Sequence, residues 1–272
     1  MRRALPAQNT SATVSGMKSS DVTRHRLLEG VLLRLARRPD VGEFILRGGM
    51  LMRHWFRPYI RPAEDLDLVV TFPFDIEDAV RRFRPVLTDQ SIADGVTIDA
   101  DGVRFEGIWL ETGSPGVRVF ATGEVDGDEI DFGVDLTFGP YPRPAPVFGA
   151  FPTAFGEDTH VWMCRPESVT GHKVQGMWQR GMLGWRPKDL DDLRLLLARV
   201  PMNADDLRTA IVAYLADVNA TATDAKTLFG PSSWWGMKMS SARWMDYVRA
   251  SRPRDVPRDL MGVVAEIREG LR

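Results

Sequence analysis

The hydrophobic period changes along this chain, and few architectures accommodate the change. Between Val96 and Phe138 apolar residues alternate with polar ones, as in Val103 and Phe105, Val117 and Val119, and Ile130, Phe132, Val134 and Leu136. Alternation marks a half-buried strand, and the Gly, Asp and Pro clusters between the runs are hairpin signals, so an antiparallel sheet is predicted. Upstream, Leu27, Leu28, Val31, Leu32 and Leu35 recur at three- and four-residue spacing behind Ser20 and Asp21, which predicts an N-capped helix ending before Pro39. Next come an apolar segment Phe44 to Arg47, a Gly48-Gly49 turn and a helix to Phe56, then a strand over Leu66, Leu68, Val69 and Val70 and a helix from Ile76 to Phe83.

After the Pro-rich turn Gly139 to Pro146 the helical period returns, with Val169, Lys173, Met177 and Arg180 on successive turns and Leu190, Leu193, Leu196 and Leu197 behind Pro187. Helical pieces follow from Asp205, ending near Asn219, Phe229, Ser251 and the C-terminus. The class predicted is α+β: a mixed-sheet core over 19–147, then a helical bundle over 148–272 that completes the site. Residues 1–18 lack periodicity and are expected to form a disordered tail.

Charge and cysteine content narrow the chemistry. Lys and Arg total 35 against 37 Asp and Glu, a formal net charge of −2, so any nucleic-acid contact has to be a local patch. The single cysteine, Cys164, supports neither an internal disulfide nor a multi-cysteine zinc site, and a metal would sit on oxygen ligands. No uncharged apolar run of about 18 residues occurs, and no apolar stretch follows the arginines at the N-terminus, so a cytoplasmic protein without a membrane span is expected.

Three stretches carry candidate chemistry. Asp65 and Asp67 stand two apart in a strand and point to one side, where they can hold one or two divalent cations. Gly48 and Gly49 open a helix whose backbone N–H groups can approach a phosphate. Each signal is weak alone, since an Asp-x-Asp is usually a solvated strand end; their order and spacing together suggest a triphosphate with Mg²⁺. In Glu129 to Gly139, Asp131, Gly133 and Asp135 share a face, and Asp135 is the better candidate to meet the first pair. Lys173 lies on a helical face with Met177 and Arg180, while Asp189 and Asp192 share a face of the next helix, where Asp189 also suits the helix N-terminus.

Taken in order, Leu46-Arg47-Gly48-Gly49, Arg61 to Asp67, Val134 to Gly139, Pro166-Glu167 with Lys173, and Arg186 to Asp192 resemble the AbiEii/AbiGii nucleotidyltransferase toxin family of the DNA-polymerase-β-like superfamily. The resemblance runs from about Phe44 to Leu197. It implies transfer of a nucleoside monophosphate from an NTP to an acceptor hydroxyl, in tRNA-modifying members the tRNA 3′ end, with a cognate antitoxin as a possible partner. On that pattern Asp65, Asp67 and Asp135 would hold Mg²⁺, with two metal ions expected, and Arg47, Gly48, Gly49, Lys173 and Lys188 would bind the nucleotide. Asp65, Asp67, Lys173 and Asp189 would be catalytic, Asp189 by orienting Lys173 or a nucleotide group. One departure is Ala63, where the family carries Ser or Thr, so control by phosphorylation of that hydroxyl is not expected.

Two other readings fit the same residues: a nucleotidyltransferase acting on a small molecule such as an antibiotic, and a non-catalytic NTP-binding module. An RNA substrate calls for a basic, aromatic-bearing groove, for which Arg53, His54, Trp55, Arg57, Arg61, Trp234, Trp235 and Lys238 are the candidates.

Overall fold

A computed structural model of the chain describes residues 19–56, 61–155, 158–251 and 256–272. The expected disordered tail, and Arg57 of the expected basic segment, lie outside these residues. The strands are β1 (Phe44–Arg47), β2 (Asp65–Val70), β3 (Val96–Ile98), β4 (Arg104–Ile108), β5 (Gly116–Val125), β6 (Asp128–Phe138), β7 (Val147–Pro152) and β8 (Asp158–Met163). The helices are α1 (Ser19–Ala36), α2 (Gly48–Phe56), α3 (Ile76–Thr88), α4 (Pro166–Gly184), α5 (Pro187–Arg199), α6 (Ala204–Ala216), α7 (Ala222–Leu228), α8 (Lys238–Ser251) and α9 (Leu260–Gly270).

The strands form one mixed sheet in the order β3-β5-β6-β2-β1-β8-β7, with β4 also paired to β5. The β5–β6 hairpin turns through Asp126 and Gly127 at φ 55° and 86°, the left-handed pair that a tight two-residue turn requires. β2 runs parallel to β6 and antiparallel to β1. This register sets Leu46, Leu68, Leu136 and Val117 in one row across four strands, all solvent-excluded in the main core. α1 adds Leu27, Leu28, Val31, Leu32 and Leu35 to that core, and α3 adds Phe83, Val86 and Leu87. A second core joins the helices of the C-terminal half around Trp185, Trp235 and Trp244.

Two element readings are corrected. The sheet does not stop at the Pro-rich turn: β7 and β8 belong to it, β8 pairs with β1, and the helical half begins at Pro166 rather than near residue 148. β8 alternates only over Thr159 to Met163, with a polar start, and β7 exposes Val147 and Phe148, so neither gives a strong strand signal. The helix expected to end at Phe83 continues through Pro85 to Thr88, because burying Val86 and Leu87 outweighs the missing proline donor. Among the described residues no helix is long and apolar enough to cross a membrane.

Candidate active site

On the opposite face of the same four strands, the row next to the leucines reads Arg47, Asp67, Asp135 and Arg118, from β1, β2, β6 and β5. Side chains alternate along each strand, so one residue's shift in register exchanges the apolar row for the charged one. Asp65 lies two residues before Asp67 and on its side of the sheet, opposite Gly133.

β1 ends at Arg47 and α2 starts at once. Gly48 sits at φ 73°, and a methyl group there would fall 1.8 Å from an Asp67 carboxylate oxygen, so only glycine lets the helix start meet the aspartate. Gly49 packs on Ala63, which is buried and donates its backbone N–H to His25 Nε2 at 2.7 Å. Burial and repulsion from Asp65 and Asp135 raise the pKa of Asp67 to about 6, against the pull of Arg47 and Lys173. Asp65 is raised too, by burial and by Asp135. Among the described residues no hydrogen bond reaches the Asp67 carboxylate, and the ion pair on Asp65 is Arg118 at 4.0 Å. Excess negative charge, hard oxygen donors and free lone pairs suit a divalent cation.

Asp135 is engaged differently. Arg118 Nε and Nη2 reach its two oxygens at 2.6 and 2.5 Å. As placed, no three acidic, histidine or cysteine side chains among the described residues stand close enough together to enclose a metal ion. The sequence reading passed over Arg118, although its position between Val117 and Val119 gave the signal: if those valines face the core, the residue between them faces the carboxylates.

The helical half supplies the floor. Lys173, on α4, is 8% exposed and donates to Asp189 at 2.9 Å and Asp192 at 2.7 Å, both on α5. Arg61 grips Asp192 with two bonds of 3.1 and 2.7 Å. Against the cost of burial, these cations hold Asp189 and Asp192 below the usual carboxylate range. Arg47 donates to Thr137 at 2.8 Å and lies 3.4 Å from His172 Nε2; burial and that cation keep the imidazole neutral. Lys188 reaches Glu64 at 3.1 Å, and Arg180 stands 3.6 Å from Asp189. Burial pushes the Cys164 thiol up to about 12, so it is no nucleophile. Glu167, from the Pro-Glu element, is structural: it accepts from Asn203 N–H at 2.9 Å and Arg165 at 3.2 Å.

Among the described residues, most of those proposed for a basic groove are engaged elsewhere. Arg53 pairs with buried Glu29 at 3.1 Å and with His25, and Arg61 is committed to Asp192. His54 stacks on Phe151, Trp55 packs on the main core, and Trp234 and Trp235 belong to the second core; Lys238 is exposed. Asp131 is exposed and accepts from Thr122 at 2.7 Å, away from the acidic pair.

A mixed sheet that presents paired aspartates to a Gly-Gly helix start, with Lys173 near enough to act on the charge of Asp67, is compatible with a nucleotidyltransferase core. JHP933 from Helicobacter pylori shares the fold over 94% of this chain and 94% of its own, with a TM-score of 0.53 at 12% identity. A candidate nucleotidyltransferase, also from H. pylori, does so over 94% and 97%, with a TM-score of 0.52 at 12% identity. No curated protein matches the sequence. Residues 30–260 match the family described as nucleotidyl transferase AbiEii toxin, type IV toxin–antitoxin system, and the chain belongs to that family.

Proposed function

We propose that this protein transfers a nucleoside monophosphate from an NTP to an RNA acceptor, the 3′ end of tRNA, and so blocks translation as the toxin of a toxin–antitoxin pair. The observation that carries the reading is the Asp65–Asp67 pair, held against Gly48 and, among the described residues, lacking hydrogen-bond donors on Asp67. The acceptor oxygen attacks the α-phosphorus, the bond to the β-phosphate oxygen breaks in line, and pyrophosphate leaves. Asp65 and Asp67, joined by Asp135, would hold Mg²⁺, which when bound lowers the acceptor hydroxyl's pKa and offsets phosphate charge. The backbone N–H groups at Gly48 and Gly49 would meet phosphate oxygens. Lys173 keeps its proton because Asp189 and Asp192 outweigh its burial, and it sets a fixed positive charge behind the triphosphate. Lys188 at the mouth of the cleft adds a mobile one.

The family's antitoxin is the proposed protein partner. One observation favours a second reading, a small-molecule acceptor: Arg53 and Arg61 are bound internally and leave less basic surface for RNA. Incubating the protein with Mg²⁺, each labelled NTP, and either total tRNA or a panel of aminoglycosides separates the two. Label in tRNA that disappears with Asp67→Asn supports the RNA reading. Unextended tRNA beside an efficiently modified small molecule overturns it.

A further inference from the structure

Arg118 is the one member of the charged row whose pairing closes off a carboxylate the reaction would use. Its guanidinium covers both oxygens of Asp135, a residue otherwise buried, and extends to 4.0 Å from Asp65. A divalent cation drawing on Asp135 together with Asp65 and Asp67 would share the two oxygens that Arg118 holds, with its charge set against the guanidinium at close range. The two cations therefore compete for one carboxylate. The Arg118 side chain is 37% exposed, so part of it faces solvent into which it can turn. A triphosphate held at the same aspartates would place phosphate oxygens beside it, and a guanidinium fork suits those oxygens as well as it suits a carboxylate.

We propose that Arg118 is a positioning residue that exchanges partners: it occupies Asp135 until a divalent cation displaces it, and then grips the phosphate tail of the NTP. The inference rests on the nucleotidyltransferase reading of the site. It makes the binding of cation and nucleotide mutually reinforcing, because each removes the competitor or supplies the destination of the other.

Mn²⁺ binding, followed by electron paramagnetic resonance without nucleotide, tests it on wild type, Arg118→Ala, Arg118→Lys and Asp67→Asn. Arg118→Ala should bind Mn²⁺ about tenfold more tightly than wild type, equivalent to about 1.4 kcal/mol. Its melting temperature without metal should be lower, and Mn²⁺ should raise it by more than in wild type, since the metal replaces the missing charge on Asp135. Adding a non-hydrolysable NTP should tighten Mn²⁺ binding in wild type and do so far less in Arg118→Ala. If Arg118→Ala does not fold, Arg118→Lys, which keeps the charge but loses the fork, should still bind Mn²⁺ more tightly than wild type, by less than about tenfold. Equal or weaker Mn²⁺ binding in the Arg118 variants, with Asp67→Asn still losing it, overturns the exchange and leaves the metal reading standing. Wild type that binds no Mn²⁺ overturns both.

Discussion

Asp67 is held among like charges, and its chemistry follows from that. Its folded pKa of about 6 lies above the ordinary carboxylate value, so the fold favours the protonated form. The stability this contributes is complete below about pH 4 and is lost as the pH rises through about 6. Without divalent cation the protein should therefore melt lower at pH 7.5 than at pH 5.5 as far as this residue decides it, and Asp67→Asn should flatten that slope. The gain at neutral pH should follow the usual relation of about 2–4 °C per kcal/mol for a chain of this size. Transfer by Asp67→Asn should drop by more than about 100-fold, as expected when a ligand itself rather than its supporting neighbour is removed. Mg²⁺ should stabilise wild type more at pH 7.5 than at pH 5.5, because only the ionised site attracts it. Lys173 bears on stability as well as on activity. It is buried between Asp189 and Asp192, and Lys173→Ala takes one cation from each while Arg61 stays on Asp192 and Arg180 near Asp189, so the cost should fall short of the about 3–5 kcal/mol of breaking a lone buried pair. Calorimetry of the variant should show a lower melting temperature alongside the abolished activity; an unchanged one would mean that the buried cluster is not the floor of the site.

At the scale of elements, the β1–α2 turn and the head of β2 are a single device. Gly48→Ala has to relieve both a left-handed backbone and the clash with Asp67, which rotating the carboxylate does not remove because the added methyl also lies 2.8 Å from Asp67 Cβ. Expression with retained fold but loss of divalent-cation binding, read by thermal shift with and without Mg²⁺, is the expected result. A Gly48→Ala protein that binds cation like wild type would remove the glycine from the site. These elements were legible in the sequence because their signals are local: a glycine pair ends one strand, and two aspartates begin another whose apolar partners alternate. β7 and β8 were not legible, since what makes them strands is pairing to each other and to β1, which lies more than a hundred residues away along the chain. Arg118 and Arg61 were missed or misjudged for a related reason. An arginine's sequence context shows which way it faces, but the carboxylate that captures it lies on another element.

Across the whole molecule, two cores meet along α4 and α5, which give Val169 and Leu196 to one and Val174 and Leu193 to the other, and on that seam Arg61 near the β2 entry and Lys173 on α4 share Asp192 of α5. The sequence separated the two halves by their periods, and it placed the candidate metal-binding aspartates in one and the candidate lysine in the other; the seam itself depends on the fold. That geometry also relocates any grip on RNA. With a net charge of −2, binding cannot come from the surface at large, and Arg53 and Arg61 face inward against Glu29 and Asp192. Among the described residues, Arg180, Arg186 and Lys188 gather around the α4–α5 junction, with the side chains of Arg180 and Lys188 34% and 29% exposed. If tRNA is the acceptor, its phosphates should meet these residues. Removing one such cation should then reduce the slope of log affinity against log salt by about 0.7 to 0.9, depending on whether single- or double-stranded RNA is held. Arg186→Ala is the cleanest variant, because no ion pair of that side chain would be broken among the described residues. Its slope should fall by the equivalent of about one phosphate while the melting temperature stays within about 1 °C of wild type, as for surface substitutions in general. Arg53→Ala, by contrast, should lower the melting temperature and leave the slope intact. A slope unchanged in Arg186→Ala and Lys188→Ala together would move the acceptor away from this junction and favour a small molecule.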